Sequence, residues 1–438
     1  MDWGLVMLVL FGSLVVLMAT GLPVAFSFLL VNFVAMYLIM GSAAPHQLVY
    51  SIFESVGQFN LTPLPLFILM GEVMFHSGMA KRVLDALDSL LGRLPGRLSV
   101  LTIISGAIFA GLSGSVIANT ALLGNLLLPD MLERRYNPRL SVGSIMASGS
   151  LAMLMPHSSL TILFATIAMI PVGTLLVSAT VPGLLVAGLY IAYTVIICLL
   201  FPHLAPRSDS LDTETNLTAK LVLFSRDIVP ILVIIVLTVA VIFYGVATPT
   251  EAAALGALCA VILAICYRTL SFKVVKASAS NTLYLSSMIL LIVAGSTGFS
   301  QMLAYTTATR GMLQAVLSLN LSPTMIVVSM MIIVFFLAMF MEEMSIIMIT
   351  VPIFTPVITA MHINPIWYGV LMLMMLEKGL ITPPAGMLLY VVKGIAPKEI
   401  SMWDVWMSTI PYVVIILTAI VLVVAYPNIA LYLANKMH

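Results

Sequence analysis

Long apolar runs recur along the whole chain, and each is close to the ~20 residues that a helix needs to cross a bilayer. They cover residues 4–20, 22–41, 60–78, 174–200, 227–245, 249–267, 283–303 and 407–430. Continuous runs of this length indicate helices, because the strands of a membrane barrel alternate apolar and polar residues. The pattern predicts an all-α polytopic membrane protein. No small-residue cleavage site follows the first run, so we expect a retained helix there.

Composition agrees with lipid as the main solvent. Hydrophobic residues make up 62% of the 438 residues and charged residues only 8%, against about 25% charged residues in a soluble domain. A net charge of +1 argues against nucleic acid as a partner. The three cysteines lie in apolar runs without C-x-x-C spacing, so neither a metal site nor a disulfide framework is indicated.

An internal repeat is visible in the spacing of prolines. Three proline pairs share an interval of 227 residues: Pro129 and Pro356, Pro138 and Pro365, and Pro156 and Pro383. Asparagine precedes both members of the middle pair. We therefore predict two structural repeats, residues 1–205 and 227–438, joined by a polar cytoplasmic linker at 206–226.

The positions of positive charges predict that the second repeat is inverted, because short cytoplasmic loops collect Lys and Arg. In the first half the clusters are Lys81, Arg82, Arg93 and Arg97, then Arg134, Arg135 and Arg139. In the equivalent flanks of the second half, 306–322 and 361–366, the only Lys or Arg is Arg310. We expect a re-entrant hairpin at about 98–130 on the cytoplasmic side, another at about 322–360 on the periplasmic side, and both termini in the periplasm.

Helix-breaking sequences occur at four matched places within apolar segments: residues 113–115, 156–159, 342–345 and 382–386. A break at membrane depth frees backbone groups that lipid cannot satisfy, so it persists around a cavity or a ligand. Free carbonyls suit a hard cation such as sodium, and helix N-termini suit a carboxylate. The alternative is a set of proline kinks that neighbouring Ser and Thr side chains satisfy.

Three motifs in this chain resemble those of a known family. They are Thr248-Pro249-Thr250-Glu251, Leu380-Ile381-Thr382-Pro383-Pro384-Ala385-Gly386, and Gly111-Leu112-Ser113-Gly114-Ser115-Val116. The chain resembles, over nearly its whole length, the large membrane subunit of tripartite ATP-independent periplasmic (TRAP) transporters. The resemblance implies an elevator-type carrier of the bacterial inner membrane that takes up a small carboxylate. It also implies sodium as the coupling ion, no other cofactor, and two partners, a small four-helix membrane subunit and a periplasmic substrate-binding protein.

The resemblance carries candidate site residues over to this sequence. The first sodium site would use, largely through backbone carbonyls, Gly111, Ser113, Ala152, Met155 and His157. The second would use Ala338, Gly379, Thr382 and Ala385. Candidate substrate contacts next to the breaks are Ser115, Asn119, Ser158, Ser159, Glu342, Ser345 and Pro383. The chain departs from the family pattern, which has Gly at Ala152 and Ala338, Pro at His157 and Asn at Met375.

Ionisable residues deep in apolar segments are costly and are therefore functional candidates. Glu342 is expected either near the ion or substrate, or as a cap of the broken helix. Glu377 and Lys378 would form a gate or a structural support, and His157 would titrate or pack. No apolar run in this sequence carries the sustained polar stripe that a channel would need. The sequence also has no hydrolase motif such as H-E-x-x-H. A free-standing sodium- or proton-coupled carboxylate carrier of the same fold, without a binding protein, is the remaining alternative.

Overall fold

The computed structural model describes residues 3–92, 94–206, 217–306 and 308–437, and every regular element in these ranges is helical. The α-helices of the first half are α1 (Trp3–Ala19), α2 (Val24–Met40), α3 (Ala44–Val56), α4 (Pro63–His76), α5 (Met79–Leu90), α6 (Arg97–Ser113), α7 (Val116–Glu133), α8 (Pro138–Ser150), α9 (Ser159–Ile167) and α10 (Val172–Leu200). Those that follow are α11 (Leu217–Leu223), α12 (Val229–Phe243), α13 (Pro249–Cys266), α14 (Phe272–Tyr305), α15 (Ala308–Ser318), α16 (Pro323–Leu337), α17 (Glu343–Ala360), α18 (Pro365–Leu380), α19 (Met387–Ile395), α20 (Met402–Ala425) and α21 (Asn428–Leu431).

Length and composition allow eight helical segments in the described residues to cross a membrane. They are Val24–Val56, Phe59–His76, Val172–Leu200, Lys220–Phe243, Pro249–Cys266, Phe272–Tyr305, Glu343–Ala360 and Met402–Ala425. The all-α prediction is therefore confirmed.

The boundaries of the last predicted run, 407–430, are wrong by about one turn. Its helix begins at Met402 because Ser401 and Asp404 form a capping box, in which each side chain bonds the other residue's amide. It ends at Ala425, two residues before Pro427, because a proline disfavours helical geometry in the residue that precedes it.

The two halves present the same order of elements. Two helices meet at a tip, a broken helix follows, and a long helix completes the series, as α6 to α10 and again as α16 to α20. The helices after the tips start at Val116 and Glu343, which are 227 residues apart (343−116). Both broken helices start with proline behind an asparagine whose side chain accepts a bond from the first-turn amides.

Packing joins the halves. Helix α4 packs on α13 and α14 packs on α2, while α10 and α20 each contact both α8 and α18. Glycines allow the closest approaches. A Cβ atom at Gly143 of α8 would lie 2.7 Å from the Tyr412 ring of α20, and one at Gly71 of α4 would lie 2.7 Å from the carbonyl oxygen of Leu112 in α6. The tip of the first hairpin is thus held against α4.

The segment between the halves is partly helical, and its role as a polar cytoplasmic linker stays a prediction. Residues 207–216 lie outside the described residues, but α11 and a π-helical turn at Phe224–Ile228 occupy most of the remainder of 206–226. The turn is fixed by an ion pair at 3.7 Å between Asp227 and Arg82 of α5. Helix α5 buries Val83 and Leu87 on one side, as an amphipathic arm would. The predicted cytoplasmic residue Arg93 lies outside the described residues.

Candidate functional site

The first hairpin tip rests on the break of the broken helix in its own half. Helix α6 ends at Ser113, and Gly114 takes a left-handed conformation with φ +57. Ser115 then caps α7 by accepting a bond from the Ala118 amide at 3.3 Å. A Cβ atom at Gly114 would lie 2.6 Å from the His157 carbonyl oxygen, so this position requires glycine on two grounds.

His157 links this tip to a helix of the other half. Its side chain is 97% buried, with a relative exposure of 3%. Nδ1 lies 2.7 Å from the Gly111 carbonyl oxygen and Nε2 lies 2.8 Å from the Thr238 hydroxyl of α12. A carbonyl oxygen only accepts, so Nδ1 carries a proton. The Phe67 ring of α4 covers the imidazole at 4.5 Å. One carbonyl of the first predicted sodium site is therefore already hydrogen-bonded.

The remaining residues of the first two breaks are buried, or half-buried in the case of Ser159, and most of them form structural bonds. Asn119 Nδ2 donates to the carbonyls of Gly106 at 3.0 Å and Ser148 at 3.4 Å, which ties α7 to α6 and α8. Ser158 caps α9 by accepting from the Thr161 amide. Ser159 Oγ is 3.5 Å from the Gly114 carbonyl oxygen. Ala152 and Met155 are buried in the turn where α8 ends.

The second hairpin breaks earlier than predicted. Residues 338–342 separate α16 from α17, so Glu343, Met344 and Ser345 belong to the first turn of α17 rather than to the break. Glu342 is the residue before the helix, with extended geometry, and accepts a bond from Ser345 Oγ at 3.4 Å. Acidic side chains stabilise the positive end of a helix, which accounts for the helix beginning between the two glutamates.

The second hairpin and its broken helix meet through small residues. A Cβ atom at Gly379 of α18 would overlap the Cβ of Ala338. Thr382 Oγ1 donates to the Lys378 carbonyl at 2.6 Å, and the Thr382 carbonyl accepts from the Gly386 amide at 3.0 Å. The loop with Pro383 follows, and α19 starts at Met387. The Thr382 hydroxyl keeps its lone pairs for another partner.

A cavity of about 220 Å³ opens at this second break. It brings together four predicted site residues, Ala338, Glu342, Gly379 and Ala385. Its wall also includes residues that were not predicted, namely Phe340, Met341, Glu343, Ile346, Leu376, Leu380, Met387 and Tyr390. A much smaller cavity of about 20 Å³ lies at the first hairpin, where Ser113 and Asn119 are the polar side chains in an otherwise apolar lining.

Glu377 and Lys378 point in different directions and do not form the predicted pair. Both are fully buried. Glu377 accepts from Ser150 Oγ of α8 at 3.3 Å, and the two positions differ by 227 (377−150). Lys378 Nζ lies 3.3 Å from the centre of the Phe335 ring. Adjacent helical residues face apart, so each side chain connects α18 to a different neighbour.

Two contact residues lie outside the three motifs but stand out in the sequence. Thr238 is the only hydroxyl residue in the apolar run 229–243, which marks it for a specific bond. Glu343 is acidic within an apolar segment, but its place in the cavity wall depends on where α17 begins. Among the described residues no group of three or more His, Cys, Asp and Glu side chains could hold a metal. A cation here would rely on carbonyl and hydroxyl oxygens.

Residues 11–429 match the family model for the DctM component of the tripartite ATP-independent periplasmic transporter. The chain belongs to the TRAP large permease family. A C4-dicarboxylate TRAP transporter large permease protein of Rhodobacter capsulatus is 29% identical over 98% of this chain and 99% of its own length. A putative TRAP transporter large permease protein of Haemophilus influenzae is 31% identical over 85% of this chain and 91% of its own.

A solved structure supports the fold of this permease. The Alcanivorax borkumensis YdaH transporter superposes with a TM-score of 0.64, covering 90% of each chain at 14% identity. The permease is therefore a multi-pass inner-membrane transport protein and not an enzyme. The Thr-Pro-Thr-Glu motif has a structural role, because Thr248 and Glu251 form the capping box that starts α13.

Proposed function

We propose that this permease is the translocating subunit of a sodium-coupled uptake system for a small organic acid. The observation that carries the proposal is the pairing of each hairpin tip with the break of a helix in its own half, at Gly114 with His157 and at Ala338 with Gly379. Breaks of this kind surround ion and substrate sites in secondary transporters. A carboxylate would be attracted by the positive N-terminal end of α7.

The two proposed sodium sites have unequal support. At the second break, the cavity wall contains Ala338, Gly379 and Ala385, and the Thr382 hydroxyl can offer a lone pair. At the first break, the Gly111 carbonyl already accepts a bond from His157. A sodium ion there would have to share or displace that bond. We therefore infer that the second break holds the more strongly coupled ion.

The mechanism that we propose is an elevator with inverted repeats. The mobile core would comprise α6 to α10 and α16 to α20, which contain both hairpins, and the scaffold would comprise α1 to α4 and α12 to α14. Substrate would be a small carboxylate, the class named for the Rhodobacter capsulatus relative. A periplasmic binding protein would deliver it, and a small four-helix membrane subunit would complete the scaffold.

Partner dependence tests this assignment. We expect proteoliposomes with the permease alone to accumulate substrate at less than about a tenth of the rate seen with both partners, because capture by the binding protein would limit uptake. The measurement is uptake of a radiolabelled organic acid that the purified binding protein retains, with each component omitted in turn. Equal uptake by the isolated permease would assign it instead as a free-standing carrier.

Inverted orientation is tested by accessibility. Arg135 and His362 are at matched positions (362−135 = 227), and both have positive φ angles in the turns that follow α7 and α17. Arg135→Cys should react with a membrane-impermeant thiol reagent only from the cytoplasm, and His362→Cys only from the periplasm. Both variants are made without the three native cysteines. Labelling of both positions from one side would refute the inverted arrangement.

A further inference from the structure

Glu343 is a buried acid without a partner in the proposed transport site. It is the first residue of α17, has a relative exposure of 7% and lines the cavity of about 220 Å³. No other described residue forms an ion pair or a side-chain hydrogen bond with its carboxylate. Burying an unpaired charge costs several kcal/mol in a membrane protein, roughly 3 kcal/mol on insertion scales. A group supplied by a ligand would offset this cost.

The positive N-terminal end of α17 offsets part of a charge on Glu343, but no Lys or Arg side chain lines the cavity. The neighbouring Glu342 lines the same cavity, and its described side-chain bond is to the Ser345 hydroxyl. Lys378 is on the adjacent helix, but its ammonium lies over the Phe335 ring and 3.5 Å from the Phe335 carbonyl oxygen. The cavity therefore presents two acids and attracts positive charge.

Side chains of the wall beyond the proposed sodium ligands suit an organic cation. Phe340 and Tyr390 contribute aromatic rings, and Met341 and Met387 contribute thioethers. Aromatic rings bind ammonium groups through their negative faces, and Met adapts to irregular ligands. The cavity volume of about 220 Å³ corresponds to roughly seven water molecules at about 30 Å³ each, which is room for an ammonium group.

We propose that this cavity binds a positively charged nitrogen of the transported molecule, with Glu343 as its principal partner. The substrate would then be a zwitterionic organic acid rather than a simple dicarboxylate. This inference rests on the proposed function, since it assumes that the cavity belongs to the transport path of an organic acid. Glu343 would be a specificity-determining residue, and Glu342 would add to the negative potential.

Charge-selective thiol modification tests the proposal without knowledge of the substrate. The full chain in lipid nanodiscs carries Met387→Cys in the cavity wall, with Cys198, Cys259 and Cys266 replaced by alanine. It is treated with a methanethiosulfonate bearing trimethylammonium and, separately, with one bearing sulfonate. The rate constant of each reagent with Met387→Cys is divided by its rate constant with a free thiol in solution. This normalised rate should be at least about tenfold higher for the cationic reagent than for the anionic one. Glu343→Gln should remove most of that preference, and Glu343→Asp should retain it.

A matched control uses a thiol elsewhere in the chain. Cys266, which is exposed at the end of α13, is kept as the sole cysteine, and its reactivity ratio should be unchanged by Glu343→Gln. An equal change at Cys266 would indicate a general effect on folding and would overturn the assignment to the cavity. The proposal would also be overturned if Met387→Cys showed no preference for the cationic reagent beyond that of a free thiol.

Protection tests binding of an organic cation directly. At a fixed sodium concentration, millimolar tetramethylammonium should slow modification of Met387→Cys, and potassium chloride at the same ionic strength should not. Modification at an equal rate with tetramethylammonium and with potassium chloride would contradict the proposal. Because no transport is measured, these outcomes are independent of whether a sodium gradient drives uptake.

Discussion

Gly379→Ala is expected to reduce uptake by about fivefold or more, because overpacking a close contact costs about 1–3 kcal/mol. The added methyl group would overlap the Cβ of Ala338 and approach the Ala338 carbonyl oxygen at 3.2 Å. Either the hairpin tip or the end of α18 must then move, and the proposed sodium ligands move with it. The measurement is the initial rate of substrate uptake in proteoliposomes with both partners, together with the thermal stability of the purified permease.

Two further variants show whether the contact itself is responsible. Gly394→Ala places the same methyl group in α19 where nothing lies within 4 Å, and it should leave uptake within about twofold of wild type. The double variant Ala338→Gly/Gly379→Ala exchanges the two residues and should recover most of the loss. The first half already has this order at the positions 227 residues earlier. Glycine at 111 corresponds to Ala338, and alanine at 152 corresponds to Gly379. Wild-type uptake by Gly379→Ala alone, or no recovery in the double variant, would contradict this account.

Much of the architecture could be predicted because membrane helices are encoded locally. Apolar length gave the spans, and proline and glycine marked the breaks at 113–115, 156–159 and 382–386, where the backbone itself cannot continue a helix. The break at 342–345 was misplaced because glutamate does not stop a helix. The structure ends α16 four residues before Met341 and starts α17 at Glu343.

Side-chain partners were not predictable, since they join segments far apart in sequence. His157 and Thr238 are 81 residues apart and meet because α4, α6 and α12 pack around one point. Helix α14 shows the same limit. Its apolar run predicted residues 283–303, yet the helix starts at Phe272, and Asn281 in its polar part bonds Glu72 of α4 at 3.0 Å. The polar first part of α14 is stabilised by its contact with α4, which a hydropathy pattern cannot show.

Substitution at Thr382 should weaken sodium coupling more than substitution at Ser113. Thr382→Ala should raise the sodium concentration for half-maximal uptake by about tenfold, as loss of one ion ligand worth about 1.4 kcal/mol predicts. Ser113→Ala should raise it less, because the first break already satisfies the Gly111 carbonyl through His157. Thr382→Ser keeps the hydroxyl and should be nearly neutral. Thr418→Ala removes a hydroxyl with a similar intrahelical bond in α20 and should have no effect.

Identifying the ion whose gradient drives uptake tests the proposed function most directly. Proteoliposomes containing the permease and both partners are given an inward sodium gradient at equal pH, or a pH gradient without sodium, and accumulation is followed over time. We expect accumulation with the sodium gradient alone, and a higher sodium concentration for half-maximal uptake in Thr382→Ala. Accumulation driven by the pH gradient in the absence of sodium, with unchanged cation dependence in Thr382→Ala, would contradict the proposed sodium coupling and would direct attention to Glu342 and His157 as proton carriers.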